Sequence, residues 1–160
     1  RFSVDWKALL PSGYVSDDVL NTMPGLPDHW DVLESTRVKT QFCLVTAPAR
    51  HFLNSSFTET KTSRRLEGCP CVMIHPHDAD ECNIADGSVC KIGNDRGQIL
   101  IHAKYFEGVK RGVLVVESLW PNKSYIGGIG VNSLTGADPV APVGGVAFHD
   151  NAVWIKAHDG

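Results

Sequence analysis

The stretch "VCKIGNDRGQILIHAKY", residues 89–105, decides the fold because it contains two β-strands joined by a short turn. Its first half is rich in β-formers, and its second half alternates Ile99, Ile101 and Ala103 with a second set of residues that includes Lys104. Alternate residues of a strand point to opposite faces, so these three side chains are predicted to lie in a core. "NDRG" at 94–97 is typical of a hairpin turn, with Gly97 predicted to take a positive φ.

Further short β-rich segments lie on both sides of this hairpin. They are "QFCLVT" at 41–46, "CVMI" at 71–74, "GVLVVESLW" at 112–120 and "AVWIKA" at 152–157. "HPHDADEC" at 75–82 predicts a short helix, with Asp78 serving helix-end electrostatics and capping, and "SDDVLNTM" at 16–23 predicts one helical turn. Many short strands with few helices predict a mainly β fold, most simply a closed β-barrel without exposed edges.

Composition and charge restrict the possible partners. The 160 residues fit one domain, and a hydrophobic content of 42% with 21% charged residues is that of a soluble globular protein. Fifteen basic and eighteen acidic residues give a formal charge of −3, which excludes a general polyanion binder such as a nucleic-acid-binding protein. The sequence contains no apolar run long enough for a membrane span.

The five cysteines predict reduced thiols and a cytoplasmic protein, because their number is odd and their spacing irregular. "CPC" at 69–71, followed by His75 and His77, leaves a zinc site as an alternative. Structural zinc sites usually space paired cysteines by two to four residues, and no second pair follows. The favoured interpretation places Cys71 on one face of a strand and Val72 on the other.

Two loops carry more chemistry than a connection needs. "TAPARHFLNSSF" at 46–57 follows a strand and interleaves a cation, an imidazole, an amide and two hydroxyls with two phenylalanines. We expect Phe57 to anchor this loop in the core. The second loop, at 121–150, is rich in Gly and Pro, and its apolar content argues against disorder. Its glycines at 127, 128 and 130 lack dinucleotide-fingerprint spacing, so they let backbone approach something closely or simply form turns.

Several of these segments occur together, in the same order, in one known family. "FCLVTAPARHFLNSSF", "HPHDADECNIADGSV", "NDRG" and "VNSLTG…AFHDNAV" together resemble the C-terminal molybdopterin-dinucleotide-binding domain of molybdenum and tungsten oxidoreductases, the formate dehydrogenase, nitrate reductase and dimethyl sulfoxide reductase superfamily. The resemblance covers roughly residues 24 to 157. It implies a double-psi β-barrel that holds the guanosine end of a molybdopterin guanine dinucleotide, in a formate-dehydrogenase-like parent whose other domains hold the metal. The domain alone is then not expected to be catalytic.

The resemblance, with the chemistry of phosphate and guanine, implies a set of cofactor-binding residues. Arg50 suits phosphate oxygens, amides and hydroxyls suit phosphate or ribose, and the carboxylates Asp138 and Asp150 suit the donors of guanine. Many relatives have Tyr–Lys where this chain has Phe148 and His149, which weakens the expectation for His149. Trp120 either shields the site or fills the barrel mouth. The complete set is Thr46, Arg50, His51, Asn54, Ser55, Ser56, Trp120, Asn132, Thr135, Asp138, His149 and Asp150.

The predicted organisation is a linker or docking region at 1–23 and the binding barrel at 24–160. The predicted partners are the remaining domains of the parent oxidoreductase, with iron–sulfur or electron-transfer subunits beyond them. A cytoplasmic location is favoured, and a periplasmic parent is compatible with the resemblance. The alternative function is a double-psi barrel that binds protein and no nucleotide.

Overall fold

The computed structural model describes residues 3–9, 16–23, 25–26, 41–117, 119–136, 139–140, 145–146 and 151–158. The helices are α1 (Trp6–Leu9), α2 (Asp17–Thr22), α3 (Lys61–Glu67) and α4 (Pro76–Glu81). The strands are β1 (Phe42–Ala47), β2 (Cys71–Ile74), β3 (Val89–Asn94), β4 (Gly97–Tyr105), β5 (Val113–Glu117), β6 (Pro139–Val140), β7 (Gly145–Val146) and β8 (Asn151–Ala157). Two 3₁₀ turns span Asn122–Ser124 and Val131–Leu134.

Six strands close into a barrel in the order β1-β5-β2-β4-β3-β8, and β6 pairs with β7 as a separate two-stranded ladder. Two neighbouring pairs are parallel, β1 with β5 and β2 with β4, and the other barrel pairs are antiparallel. This confirms the predicted mainly β class and the closed double-psi barrel. Each predicted barrel strand is present, and so are the helices predicted in "HPHDADEC" and "SDDVLNTM". The sequence did not predict α1, α3, β6 or β7.

The core is built from the inward side chains of the barrel strands. In β4 the predicted alternation is confirmed: Ile99, Ile101 and Ala103 are buried, whereas Gln98 and Lys104 are exposed. The fully buried side chains include Leu44, Val72, Ile74, Ile92, Leu114, Val116, Leu134 and Val153. Burying apolar surface stabilises by about 25 cal/mol per Å², so this core supplies the main favourable term in folding.

Strand directions place the connections at two distinct ends of the barrel. Because β1 and β5 are parallel and Ala47 pairs with Glu117, the segments that follow both strands leave from the same end. The β3–β4 turn and the first residue of β8 lie there too, since β2 and β8 run antiparallel to these strands. We name this the loop end, formed by residues 48–70, 94–97 and 119–136. The opposite, helix end comprises residues 75–88 and 105–112.

The helix end is closed by a buried carboxylate. Asp78 in α4 accepts hydrogen bonds from Arg111 Nε at 2.7 Å and from the backbone N–H of Gly112 at 2.7 Å, and only 4% of the residue is exposed. The predicted capping role of Asp78 is wrong, because His75 is the N-cap and its Nδ1 accepts from the His77 N–H at 3.2 Å. Asp78 instead ties α4 to the start of β5, a contact across 33 residues of sequence.

No helix in the described part of the chain is long and apolar enough to cross a membrane.

Candidate functional site

Two polar loops meet at the loop end because the strands that lead into them are parallel neighbours. The first follows β1 and the second follows β5. Phe52 of the first loop packs edge-on against Trp120 of the second, with ring centroids 4.7 Å apart and an interplanar angle of 81°. Both rings are buried. Filling the barrel mouth is therefore the role that the contacts of Trp120 favour, and a direct cofactor contact stays a prediction.

A two-residue turn presents the polar side chains of the first loop. Leu53 and Ser56 exchange backbone hydrogen bonds of 3.2 Å and 2.7 Å, and Asn54 between them has a φ of 50°. Asparagine tolerates this left-handed conformation better than most residues, which explains the residue type at the turn. Beneath it the buried Thr58 donates through Oγ1 to the carbonyl of Ser55 at 2.9 Å. Asn54, Ser55 and Ser56 are thus held exposed on a constrained turn.

Phe57 is not the core anchor that the sequence predicted. It is 60% exposed and has a φ of 69°, because the chain reverses direction there. Phe52 takes the anchoring role instead, with 6% exposure. The exposed Phe57 and the 65%-exposed Leu53 place apolar surface beside the polar turn.

His51 is held by a carboxylate from α3. Oε1 of Glu67 accepts the backbone N–H of His51 at 2.6 Å and lies 2.8 Å from its Nδ1. Since Nδ1 is engaged, Nε2 is the ring nitrogen that remains for a ligand. Glu67 was not predicted from the sequence, because it lies sixteen residues from His51 in an unpredicted helix. Arg50 is exposed, and Thr46 is half-buried within β1 opposite Val116.

The second loop begins with a 3₁₀ turn and a buried tyrosine. The hydroxyls of Ser124 and Tyr125 are buried and have no hydrogen-bond partner among the described residues. Burial raises the pKa of Tyr125 to about 12, and the backbone of Val131 offsets this only in part. Lys123 Nζ lies 2.9 Å from Oε1 of Glu59, so the second loop also contacts the first through an ion pair. Hydrogen bonding and charge from Lys123 lower the pKa of Glu59.

The glycines of the second loop divide between the two predicted roles. Gly127 and Gly128 have φ values of 80° and 72° and open space around them, so they serve the turn. Gly130 lies in a crowded position, where a Cβ would come within 2.6 Å of the side-chain oxygen of Asn122. Close backbone approach is thus confirmed at Gly130, and its neighbour is the protein itself.

The turn at Val131–Leu134 exposes Asn132 and is fixed from below. Thr135 Oγ1 donates to the carbonyl of Asn132 at 3.0 Å. From the β3–β4 turn, Asn94 Nδ2 and Arg96 Nε both donate to the carbonyl of Leu134, at 2.8 Å and 2.9 Å. The sequence indicated the hairpin but not these contacts, which cross about forty residues of chain.

The prediction of a positive φ at Gly97 is wrong, because the positive-φ glycines of the structure do not include it. The hairpin reverses at 95–96, and Gly97 is already paired with Asn94 as the first residue of β4.

The described residues thus bring the predicted site residues to one end of the barrel. Those at the loop end are Thr46, Arg50, His51, Asn54, Ser55, Ser56, Trp120, Asn132 and Thr135. Asp138, His149 and Asp150 lie outside the described residues. The exposed amides and hydroxyls, the exposed cation Arg50 and the two unpartnered buried hydroxyls form a donor-rich set, which fits phosphate and ribose oxygens.

Within the described ranges, His, Cys, Asp and Glu residues form no group of three or more that could hold a metal ion. All five cysteines are free, and burial raises the pKa of the Cys90 thiol to about 12.

Comparison with known proteins identifies related sequences and a related structure. Residues 42–153 match the family model described as "Molydopterin dinucleotide binding domain". The chain is 33% identical over 134 residues to "Probable oxidoreductase YoaE" of Bacillus subtilis, covering 83% of this chain and 19% of that protein. It is 28% identical over 103 residues to a putative dimethyl sulfoxide reductase of Halobacterium salinarum, in the catalytic polypeptide, covering 64% of this chain and 12% of that protein.

Among solved structures, acetylene hydratase from Pelobacter acetylenicus matches 86% of this chain and 22% of its own, with a TM-score of 0.69 and 12% identity. At that identity the match supports the fold alone. The chain therefore spans about a fifth, or less, of the relatives it matches. The matches confirm the resemblance seen in the sequence, but they do not support formate dehydrogenase specifically.

Proposed function

The chain belongs to the molydopterin dinucleotide binding domain family, and from that premise we propose that its loop end binds the guanosine end of a molybdopterin guanine dinucleotide. A domain of this family positions the cofactor within a larger molybdenum oxidoreductase. When bound, the cofactor supplies the redox chemistry, and the chain supplies holding and orientation. The guanine form and the residue roles given below are parts of the proposal.

One observation carries the proposal: the parallel β1–β5 pair brings both polar loops to one end of the barrel. The packing of Phe52 on Trp120 and the Lys123–Glu59 ion pair hold the loops side by side. Two loops that are distant in sequence can then contact one extended ligand.

Each loop has a distinct role in the proposed site. Arg50 and the turn of Asn54, Ser55 and Ser56 contact phosphate and ribose oxygens through cationic and neutral donors. His51, oriented by Glu67, presents Nε2 to the same ligand. Asn132, on its exposed turn, contacts the base or a phosphate, and Thr135 supports that turn. Thr46 lies beneath the first loop, at the end of β1.

Three further members of the proposed site extend the second loop and the start of β8. Asp138 and Asp150 accept from the ring N–H and amino group of guanine, donors that adenine lacks as a pair. His149 donates to the nucleotide beside them. Their carboxylate and imidazole chemistry is the support for these assignments.

The parent protein is proposed to be a molybdenum or tungsten oxidoreductase whose other domains hold the metal. The exposed apolar side chains Leu53, Phe57 and Ile129 at the loop end suit packing against such domains. Iron–sulfur or electron-transfer subunits are proposed as further partners. Five free cysteines support a reducing, cytoplasmic compartment.

The experiment is an amide-resolved NMR titration of the chain with GDP, with ADP as the matched ligand. An isolated domain holds only part of the cofactor site, so we expect dissociation constants as weak as about 1 mM. The expected result is a preference for GDP, with shifts confined to residues 46–57 and 132–150. Shifts that are equal for both nucleotides, or that lie at the helix end, would contradict the proposal.

A pair of asparagine substitutions supplies the matched control. Asn54 and Asn83 both have positive φ, 50° and 55°, but they lie at opposite ends of the barrel. Glycine removes the amide and accepts this backbone conformation, so Asn54→Gly and Asn83→Gly test side-chain chemistry without backbone strain. We expect Asn54→Gly to weaken GDP binding by about tenfold, as for one hydrogen bond to a charged phosphate. Asn83→Gly is expected to leave binding unchanged, and equal effects of the two would contradict the assigned site.

The alternative, a protein-interaction barrel without nucleotide binding, is favoured only by the same exposed apolar side chains. It predicts no shift with either nucleotide at several-fold excess over about 1 mM.

A further inference from the structure

The β3–β4 turn, residues 94–97, holds the exposed turn at Val131–Leu134 by two converging side chains. Asn94 Nδ2 and Arg96 Nε both donate to the carbonyl oxygen of Leu134, at 2.8 Å and 2.9 Å. A carbonyl oxygen has two lone pairs, so the two donors satisfy it together. Asn94 Oδ1 also accepts the backbone N–H of Arg96 at 3.0 Å, which fixes the hairpin turn itself.

Arg96 makes a second contact, to the start of β8. Its terminal Nη2 lies 3.5 Å from Oδ1 of Asn151, a residue that is 1% exposed and pairs with Leu44 of β1. The guanidinium is planar and rigid, so holding two acceptors fixes their relative position. In the sequence, Asn151 directly follows Asp150, and Leu134 follows Asn132 by two residues.

Packing between the two turns leaves little room for adjustment. A Cβ at Gly97 would lie 3.3 Å from the backbone oxygen of Ser133. That separation is tighter than most real contacts of a Cβ, so the glycine permits the 131–134 turn to lie directly on the hairpin. Hydrogen bonds and close packing therefore act on the same segment.

We propose that Arg96 is a positioning residue for base selectivity: it sets the Asn132 turn and the start of β8 relative to one another. This inference rests on the proposed function, because those two segments carry the groups assigned to the base. Arg96 acts through Leu134 and Asn151 and is not itself assigned a ligand contact. Its removal is expected to loosen both segments and to reduce discrimination between guanine and adenine.

The first test does not depend on nucleotide binding. The amides of Ser133 and Thr135 donate to the carbonyls of Gly130 and Asn132, so their hydrogen exchange reports on this turn. In Arg96→Ala we expect both amides to exchange about fivefold faster than in the parent sequence. Arg111→Ala, which removes the arginine that binds Asp78 at the helix end, is the matched control and is expected to leave them unchanged. Unchanged exchange at both amides in Arg96→Ala would overturn the positioning role.

The second test measures selectivity, which a loss of stability alone does not change. The ratio of GDP to ADP affinity, from the NMR titration, is expected to fall about fivefold in Arg96→Ala and to stay constant in Arg111→Ala. Arg96→Lys keeps the charge but loses the two-pronged geometry, so we expect it to restore the ratio only in part. Full restoration by lysine would show that charge is sufficient and would overturn the geometric argument.

The two tests separate this inference from the proposed function. If the parent sequence shows no GDP preference, the proposed function fails and the selectivity role of Arg96 is overturned with it. Exchange at Ser133 and Thr135 still decides whether Arg96 positions the turn. If GDP is preferred but Arg96→Ala keeps the full ratio, only this inference fails.

Discussion

The two ends of the barrel are built differently, although the same strands lead into both. At the helix end, polar groups bind one another: Asp78 holds Arg111 and Gly112, and the hydroxyl of Tyr105 donates to the carbonyl of Ile84 at 2.7 Å. At the loop end, Asn54 and its neighbours are exposed on a constrained turn, and the buried hydroxyl of Tyr125 has no partner among the described residues. One end thus uses its polar groups to hold the fold, and the other presents them to a ligand.

The largest expected effect of this difference is on stability at the helix end. Asp78→Ala removes a buried carboxylate and leaves the N–H of Gly112 without its partner. We expect a loss of about 3 kcal/mol in the free energy of unfolding, because hydrogen bonds to charged groups contribute about 1.5–3 kcal/mol each. Urea unfolding monitored by circular dichroism measures it.

The control is Asp80→Ala, an exposed aspartate of the same helix, which is expected to change stability by less than about 0.5 kcal/mol. Similar losses in the two variants would mean that helix-end electrostatics, and not the long-range tie, explain Asp78.

A smaller effect distinguishes the two tyrosines, one at each end. Tyr105→Phe removes a made hydrogen bond and is expected to cost about 1 kcal/mol at neutral pH, whereas Tyr125→Phe removes an unpartnered hydroxyl and is expected to be neutral or stabilising. If Tyr125→Phe costs as much as Tyr105→Phe, its hydroxyl has a partner in solution.

The same tyrosine predicts a pH dependence. The folded pKa of Tyr125 is raised to about 12, while an unfolded tyrosine titrates near its ordinary value of 10.0. Its contribution to stability is therefore complete below pH 10 and is lost as pH rises towards 12, by about 2 kcal/mol over the window. Urea unfolding at a series of alkaline pH values is expected to show a shallower decline in Tyr125→Phe. The buried Cys90 contributes equally to both proteins, so parallel declines would contradict the assignment.

How far the sequence predicts each end follows from whether the signal is local. The strands were predictable because alternation in β4 and the apolar runs of β2 and β5 are visible within a few residues. Helix α3 was not, because it buries no side chain and its N-cap Thr60 makes no capping hydrogen bond, so neither periodicity nor a cap marks it. The misplaced Phe57 depends on a backbone φ of 69°, which the residue type does not indicate.

The candidate site was predictable only in part, for the same reason. The residue types in "TAPARHFLNSSF" indicated a ligand loop, and the parallel strands then placed it beside the second loop. The ties that shape the site are non-local: Glu67 reaches His51 across sixteen residues, and Arg96 reaches Leu134 and Asn151 across 38 and 55. Such contacts follow from the closed barrel and have no signature in the sequence near either partner.

The smallest expected effect concerns the ion pair that joins the two loops. Lys123 lowers the pKa of Glu59, so the stabilisation from this pair is present above the ordinary value of 4.5 and is lost as pH falls through the lower folded pKa. Both side chains are exposed, so salt screens the interaction and Lys123→Ala is expected to alter stability little. The sharper measurement is the pKa of Glu59 by NMR, expected to rise towards its ordinary value in Lys123→Ala. Lys110→Ala, at the helix end, is expected to leave that pKa unchanged. A Glu59 pKa that does not respond to Lys123→Ala would mean that the pair does not persist in solution, and that the contact between Phe52 and Trp120 holds the loops together without it.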